Sequence, residues 1–172
     1  PGAYPSISHD AFISQNRDFF QKLIPTAESC GIEILIENIG TPMDPHYLHN
    51  AHELLQMIDA VDHPLFFACW DTGHANHNEC DPYESVTTLG GRLHGLHVND
   101  NLGRFDITYK PWRLDMHTIP LFGSINFDSL MHGLLDISYK GYFTFEVDVP
   151  RRRPNRIPFS YDGRLQERLM DA

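Results

Sequence analysis

The chain has 172 residues, enough for one domain with its own core. Its formal charge is −10, from 23 acidic residues against 13 Lys plus Arg, which argues against a broad nucleic-acid or anionic-membrane surface. No apolar stretch approaches the roughly 20 residues that cross a bilayer, no signal-like leader is visible, and three cysteines (Cys30, Cys69, Cys80) form no CxxC, so a reduced, cytoplasmic setting is expected.

In chain order, Ser8 to Cys30 reads as a helix, with Phe12, Phe19, Phe20, Leu23 and Ala27 near helical spacing and Gly31 as its stop. The strand Ile32–Glu37 follows. Its isoleucines share one face, while Glu33, Leu35 and Glu37 share the other. Gly40-Thr41-Pro42 opens a loop. Asn50 and Glu53 make a capping-box-like start to a helix carrying Ala51, Leu54, Leu55, Ile58 and Val61. The strand Leu65–Asp71 comes next, then a tight glycine turn at Asp71-Thr72-Gly73-His74. Asp81-Pro82 starts a third helix that ends at Gly90-Gly91. Beyond it lie the strand Leu93–Val98, a polar loop from Asn99 to Ser124, a helix from about Asn126 to Tyr139, and the strand Tyr142–Glu146. A basic loop, Arg151–Pro158, leads to a short terminal helix near Leu165–Met170.

The order is α-βα-βα-βα-βα, without a linker or second domain. Alternating units predict a parallel sheet. No Gly-rich phosphate loop follows the first strand, so a barrel piece fits better than a doubly wound sheet. A complete (β/α)8 TIM barrel typically needs about 250 residues and eight units. Residues 1–172 are therefore expected to form one α/β domain holding about the C-terminal half of such a barrel, with the N-terminal half absent. The missing initiator Met also fits a processed chain or a fragment. The open half would be completed by more chain, a partner half-barrel or a homo-oligomer.

Four apolar runs end in side chains able to hold a cation: Glu37, Asp71, His97 and Glu146. Strand ends on one face of a barrel converge, so these four predict a divalent-metal site. Carboxylates at Glu37 and Glu146 are hard to explain as packing, because an unpaired buried charge is costly; ordinary salt bridges are the alternative. His94 and His97 fall on opposite strand faces, and His97 lies nearer the tip. His74 follows Asp71 by three residues and can reach the same cavity, or else lie at the surface beside an Asp that caps the turn. Asp115-Met116-His117 places two more candidate ligands on one side of an extended segment. Asp71, His74, His77 and Cys80 imitate a zinc motif, but a structural zinc site usually has at least two cysteines. Arg151, Arg152, Arg153 and Arg156 form the one basic cluster; it reads as a solvated or interface patch before a phosphate site.

The stretches GIEILIEN, DTGHAN, LHGLHVNDN, DMHTIPLFGSINF and GYFTFEVD occur in this order. Together they resemble the xylose isomerase-like barrel superfamily, which includes sugar phosphate isomerases and epimerases, the tagatose/psicose 3-epimerases and endonuclease IV. The resemblance implies that Glu37, Asp71, His97 and Glu146 bind one divalent ion, most often manganese, with zinc, magnesium or cobalt as alternatives. It implies that Glu37 and Glu146 are also the acid and base. It further implies substrate contacts from His74, Arg104, Asp115 and His117, with Arg104 offset by about one position from the family's arginine.

The expected activity is isomerisation or epimerisation of a small carbohydrate, free or phosphorylated, by proton transfer through a metal-stabilised enediolate. A metal-dependent nuclease for abasic DNA is the second reading. It would need three metals, and the acidic chain disfavours it. A catalytically inactive barrel fragment is the third.

Overall fold

A computed structural model describes residues 7–39, 48–103 and 117–147. The first helix, α1 (His9–Cys30), starts where the Ser8 hydroxyl accepts the Ala11 N–H and stops at Gly31, which adopts a left-handed φ of 65°. Strand β1 (Ile34–Glu37) leads to α2 (Ala51–Val61). The predicted capping box is present: Asn50 accepts the Glu53 N–H, and Glu53 reaches back to the Leu48 and His49 N–H groups at 2.7 and 2.6 Å. Strand β2 (Phe66–Asp71) is followed by α3 (Thr72–His77) and then α4 (Pro82–Leu89), which is capped by Asp81. Strand β3 (Leu93–Val98), α5 (Phe127–Asp136) and β4 (Tyr142–Phe145) complete the described elements.

The strands form one parallel sheet in the order β1-β2-β3-β4. Each new strand is added on the same side. A doubly wound sheet would reverse direction at a switch point, so this is the winding of a barrel. The core fills the helix-facing side, where Leu54, Met57, Ile58, Phe66, Trp70, Val86, Leu96 and Leu130 are almost completely enclosed. Each such side chain contributes about 1.5–3 kcal/mol on burial. The two ends of the sheet differ. Ile36 is buried in the core, but Tyr142, Phe143 and Phe145 of β4 are exposed. No helix among the described residues is long and apolar enough to cross a membrane.

Two sequence expectations need correction. Asp71-Thr72-Gly73-His74 is the first turn of a helix, α3, with Asp71 as its N-cap; a six-residue helix is too short to leave an apolar periodicity. His94 and His97 do not point to opposite faces. The β2–β3 register slips between Ala68 and Cys69, so that Ala68 pairs with Leu93 and Cys69 with Gly95. His94 is the extra residue of this bulge. It stacks on Phe67 at 3.5 Å and meets Glu33 at 3.0 Å, on the face that ends in Asp71 and Glu37. The absence of a side chain at Gly95 permits the kink, because a Cβ there would meet Leu35 Cδ1 at 2.8 Å. The loop at Gly40-Thr41-Pro42, Arg104, Asp115, the Arg151–Arg153 and Arg156 cluster and the terminal helix near Leu165–Met170 lie outside the described residues.

Candidate metal centre

Glu37, Asp71 and His97 stand at or next to the ends of β1, β2 and β3, and Glu146 directly follows β4. One donor atom from each lies within 4.8 Å of all the others. On a flat sheet β1 and β4 would be about 14 Å apart, three spacings of about 4.8 Å. Curvature of the sheet brings their glutamates together. The two outer strands supply the glutamates, and the two inner strands supply Asp71 and His97.

Asp71 is the most enclosed member, with no exposed surface. Its Oδ1 accepts the His74 N–H at 2.7 Å, and its Oδ2 accepts the Asn99 side-chain amide at 2.7 Å. Its backbone is held as well. The Asn38 amide accepts the Asp71 N–H at 2.7 Å and donates to the Asp71 carbonyl at 3.0 Å. One strand over, the Thr72 hydroxyl donates to the Asn99 carbonyl at 2.6 Å and accepts the Asn99 N–H at 3.1 Å. Asn38 and Thr72 each directly follow a cluster member. Their side chains thus add one rung to the parallel ladder beyond the last strand residues.

Burial pushes the Asp71 carboxyl up to about 6, against the opposing pull of His74. Burial also raises Glu37, but His74 and His97 more than offset it, leaving that carboxyl below its ordinary 4.5. Beneath them, burial and then the charges of Glu37, Asp71 and Glu146 push the Cys69 thiol up to about 12. Cys69 is not part of the four-residue cluster.

His97 Nδ1 lies 3.2 Å from both Glu37 Oε1 and Glu146 Oε2. Neither approach has hydrogen-bond geometry, and Nδ1 is a buried atom without a hydrogen-bond partner. A ring nitrogen facing two carboxylates without bonding to either suits donors that share an ion. Two donors on opposite sides of an ion at about 2.2 Å stand about 4.4 Å apart, so a set spanning 4.8 Å can close on one. Three carboxylates and one imidazole form an oxygen-rich set suited to manganese, magnesium or zinc.

Two further histidines border this set. His74 Nδ1 lies 2.9 Å from the Asn38 carbonyl and 3.4 Å from Glu37 Oε1. A carbonyl can only accept, so Nδ1 carries the proton in that contact. His117 Nδ1 lies 3.2 Å from the Glu146 carbonyl, and its ring meets His74 edge-on at 5.8 Å. His77 and Cys80 do not join the cluster. His77 instead packs against Asn101, with its Nε2 3.2 Å from that side-chain amide.

Sequence reasoning passed over the run Asn99-Asp100-Asn101, all three of them fully enclosed. Asn99 holds Asp71. The Asp100 carboxylate accepts four backbone N–H groups, from Asn101, Leu121, Gly123 and Ile125. Asp100 also pairs its backbone with Thr118, the neighbour of His117. Asn101 donates to the Gly73 carbonyl in α3 and accepts from Asn76. The available signal was three consecutive polar residues directly after a strand tip, where burial demands a partner for each.

The strand order and rim geometry define a piece of a β/α barrel with its site at the C-terminal strand ends. Residues 1–162 match the xylose isomerase-like TIM barrel family, and the chain belongs to that family. It is 29% identical over 133 residues to fructoselysine 3-epimerase of Escherichia coli O157:H7, covering 73% of this chain and 42% of that protein. The crystal structure of a D-tagatose 3-epimerase-like protein matches 99% of this chain and 59% of its own, with TM-score 0.69 and 22% identity. The structure of the IOLI protein with a binding zinc atom matches 86% of this chain and 51% of its own, with TM-score 0.71 and 18% identity. The chain thus spans less than half the length of the curated epimerase it matches.

Proposed function

We propose that this chain carries the metal-binding and proton-transfer half of a sugar or sugar-phosphate isomerase/epimerase active site. One observation carries the reading: Glu37 and Glu146 arrive from the two outer strands and flank His97 Nδ1 at 3.2 Å each. Two carboxylates approaching from opposite sides suit a reaction that removes a proton from one face of a carbon and returns one to the other. A divalent ion held by Glu37, Asp71, His97 and Glu146 would polarise the carbonyl–hydroxyl pair of a ketose. Glu37 and Glu146 then act as base and acid. In this reading His74 and His117, which lie beside these two carboxylates, contact sugar oxygens; Arg104 and Asp115 keep the same proposed role from outside the described residues. The epimerase activity of the relatives supports this choice of chemistry. Manganese is the preferred ion, and a small carbohydrate the preferred substrate. Enclosing that substrate needs four more strands, from further polypeptide or a second chain.

The test is solvent exchange. The barrel completed by that further polypeptide or second chain is loaded with Mn2+ and incubated in D2O with a panel of ketoses and their phosphates, and deuterium at C3 and C1 is followed by NMR. Incorporation with epimer or aldose formation is expected. Mn2+ binding without deuterium uptake from any ketose would refute the reading.

A further inference from the structure

We propose that Asn99 is the positioning residue of this centre, fixing the Asp71 carboxylate for an ion through its side-chain amide. The inference rests on the metal-binding reading above. Asp71 has no exposed surface, so water cannot orient it. A carboxylate offers about four lone-pair directions. One on Oδ1 is taken by the His74 N–H and one on Oδ2 by Asn99 Nδ2, each at 2.7 Å. Each oxygen keeps one direction for a cation, and the carboxylate can no longer rotate.

The orientation of the Asn99 amide is dictated by its partner. Turned over, Asn99 would set its own oxygen against Asp71 Oδ2, acceptor against acceptor. As it stands, Asn99 Oδ1 is buried with no hydrogen-bond partner, in the space a Cβ on Gly73 would fill. A fully enclosed side chain thus leaves its own acceptor unmet while its donor serves Asp71. Such a mismatch calls for an explanation, and orienting a ligand supplies one. The backbone at Asn99 is clamped by Thr72 on both its N–H and its carbonyl, so the amide is delivered from a fixed base.

Co2+ is the probe, because its visible absorption reports ligand geometry. Affinity is measured by titration for the full chain, for Asn99→Ala, and for Asn99→Leu, which keeps nearly the shape of Asn without the donor. Asn50→Ala removes the N-cap of α2, at a residue outside the ligand set, and serves as a stability control. Both Asn99 variants are expected to bind Co2+ about 10–100-fold more weakly with an altered absorption band. Asn50→Ala should lose stability but keep the affinity and the band. Asn99 variants that bind within about threefold of wild type with its spectrum, below the range for partners of metal ligands, would overturn the proposal. A wild-type chain that binds no Co2+ would overturn the metal centre, and this assignment with it.

Discussion

The β2–β3 seam and the β4 edge each contribute to the candidate metal cluster, but they hold their side chains in different ways. At the seam, Asp71 is enclosed, doubly hydrogen-bonded through its carboxylate and clamped through its backbone by Asn38. At the edge, Glu146 is 45% exposed and follows a strand whose residues are all exposed. Its placement rests on the ladder bond from its N–H to the Val98 carbonyl and on the approach of His117. One half of the centre is preorganised by the fold of this chain, and the other half is left to be fixed by an ion or by whatever completes the barrel.

Ligand removal should separate the two regions most sharply. Asp71→Ala and Glu146→Ala should both weaken divalent-metal binding by more than about 100-fold, beyond the range for outer partners. Only Asp71→Ala should also cost metal-free stability, about 1–3 kcal/mol, because it strands the His74 and Asn99 donors. Glu146→Ala should stay within about 0.5 kcal/mol. Urea unfolding of both proteins checks this, and an equal cost would erase the contrast. Gly73→Ala comes next. A Cβ there runs into Asn99 Oδ1 and comes within 2.9 Å of Asn101 Nδ2. The expected loss is about 3 kcal/mol, the upper end for overpacking, whereas Thr144→Val on β4 should change little.

Hydrogen exchange reads the same difference without mutation. Amides of β2 and β3 should exchange about tenfold or more slower than those of β4, and metal should slow β4 the most. Equal protection in the two regions would show that the edge is as fixed as the seam. The smallest effect is the dependence of stability on pH. With Asp71 raised to about 6 from its ordinary 3.8, the metal-free fold binds that proton more tightly than the unfolded chain does. Its contribution is full below about pH 4 and is lost as pH rises through about 6. The depressed Glu37 acts in the opposite sense, contributing above its ordinary 4.5 and losing that contribution as pH falls through its folded value. Unfolding of metal-free wild type and Asp71→Asn across pH 4–7 should diverge in the stated direction.

The convergence of Glu37, Asp71, His97 and Glu146 was legible in the sequence because each ends or follows an apolar run, and the barrel class followed from the alternation of helices and strands. The seam that fixes those side chains was not legible. Asn99, Asp100 and Asn101 look like the start of an ordinary polar loop, since composition does not show burial. The His94 bulge was hidden for a related reason: strict alternation assumes that no residue is added to the strand, and only the pairing with β2 reveals the extra one.

The Asp100–Thr118 pairing separates variation from precision. It ties the polypeptide at a neck, with the ends of the intervening stretch fixed whatever its content. The pairing keeps His117, next to Thr118, registered against Glu146. Asp100 and Thr118 thus act as two fixed posts, one beside Asn99 and one beside His117.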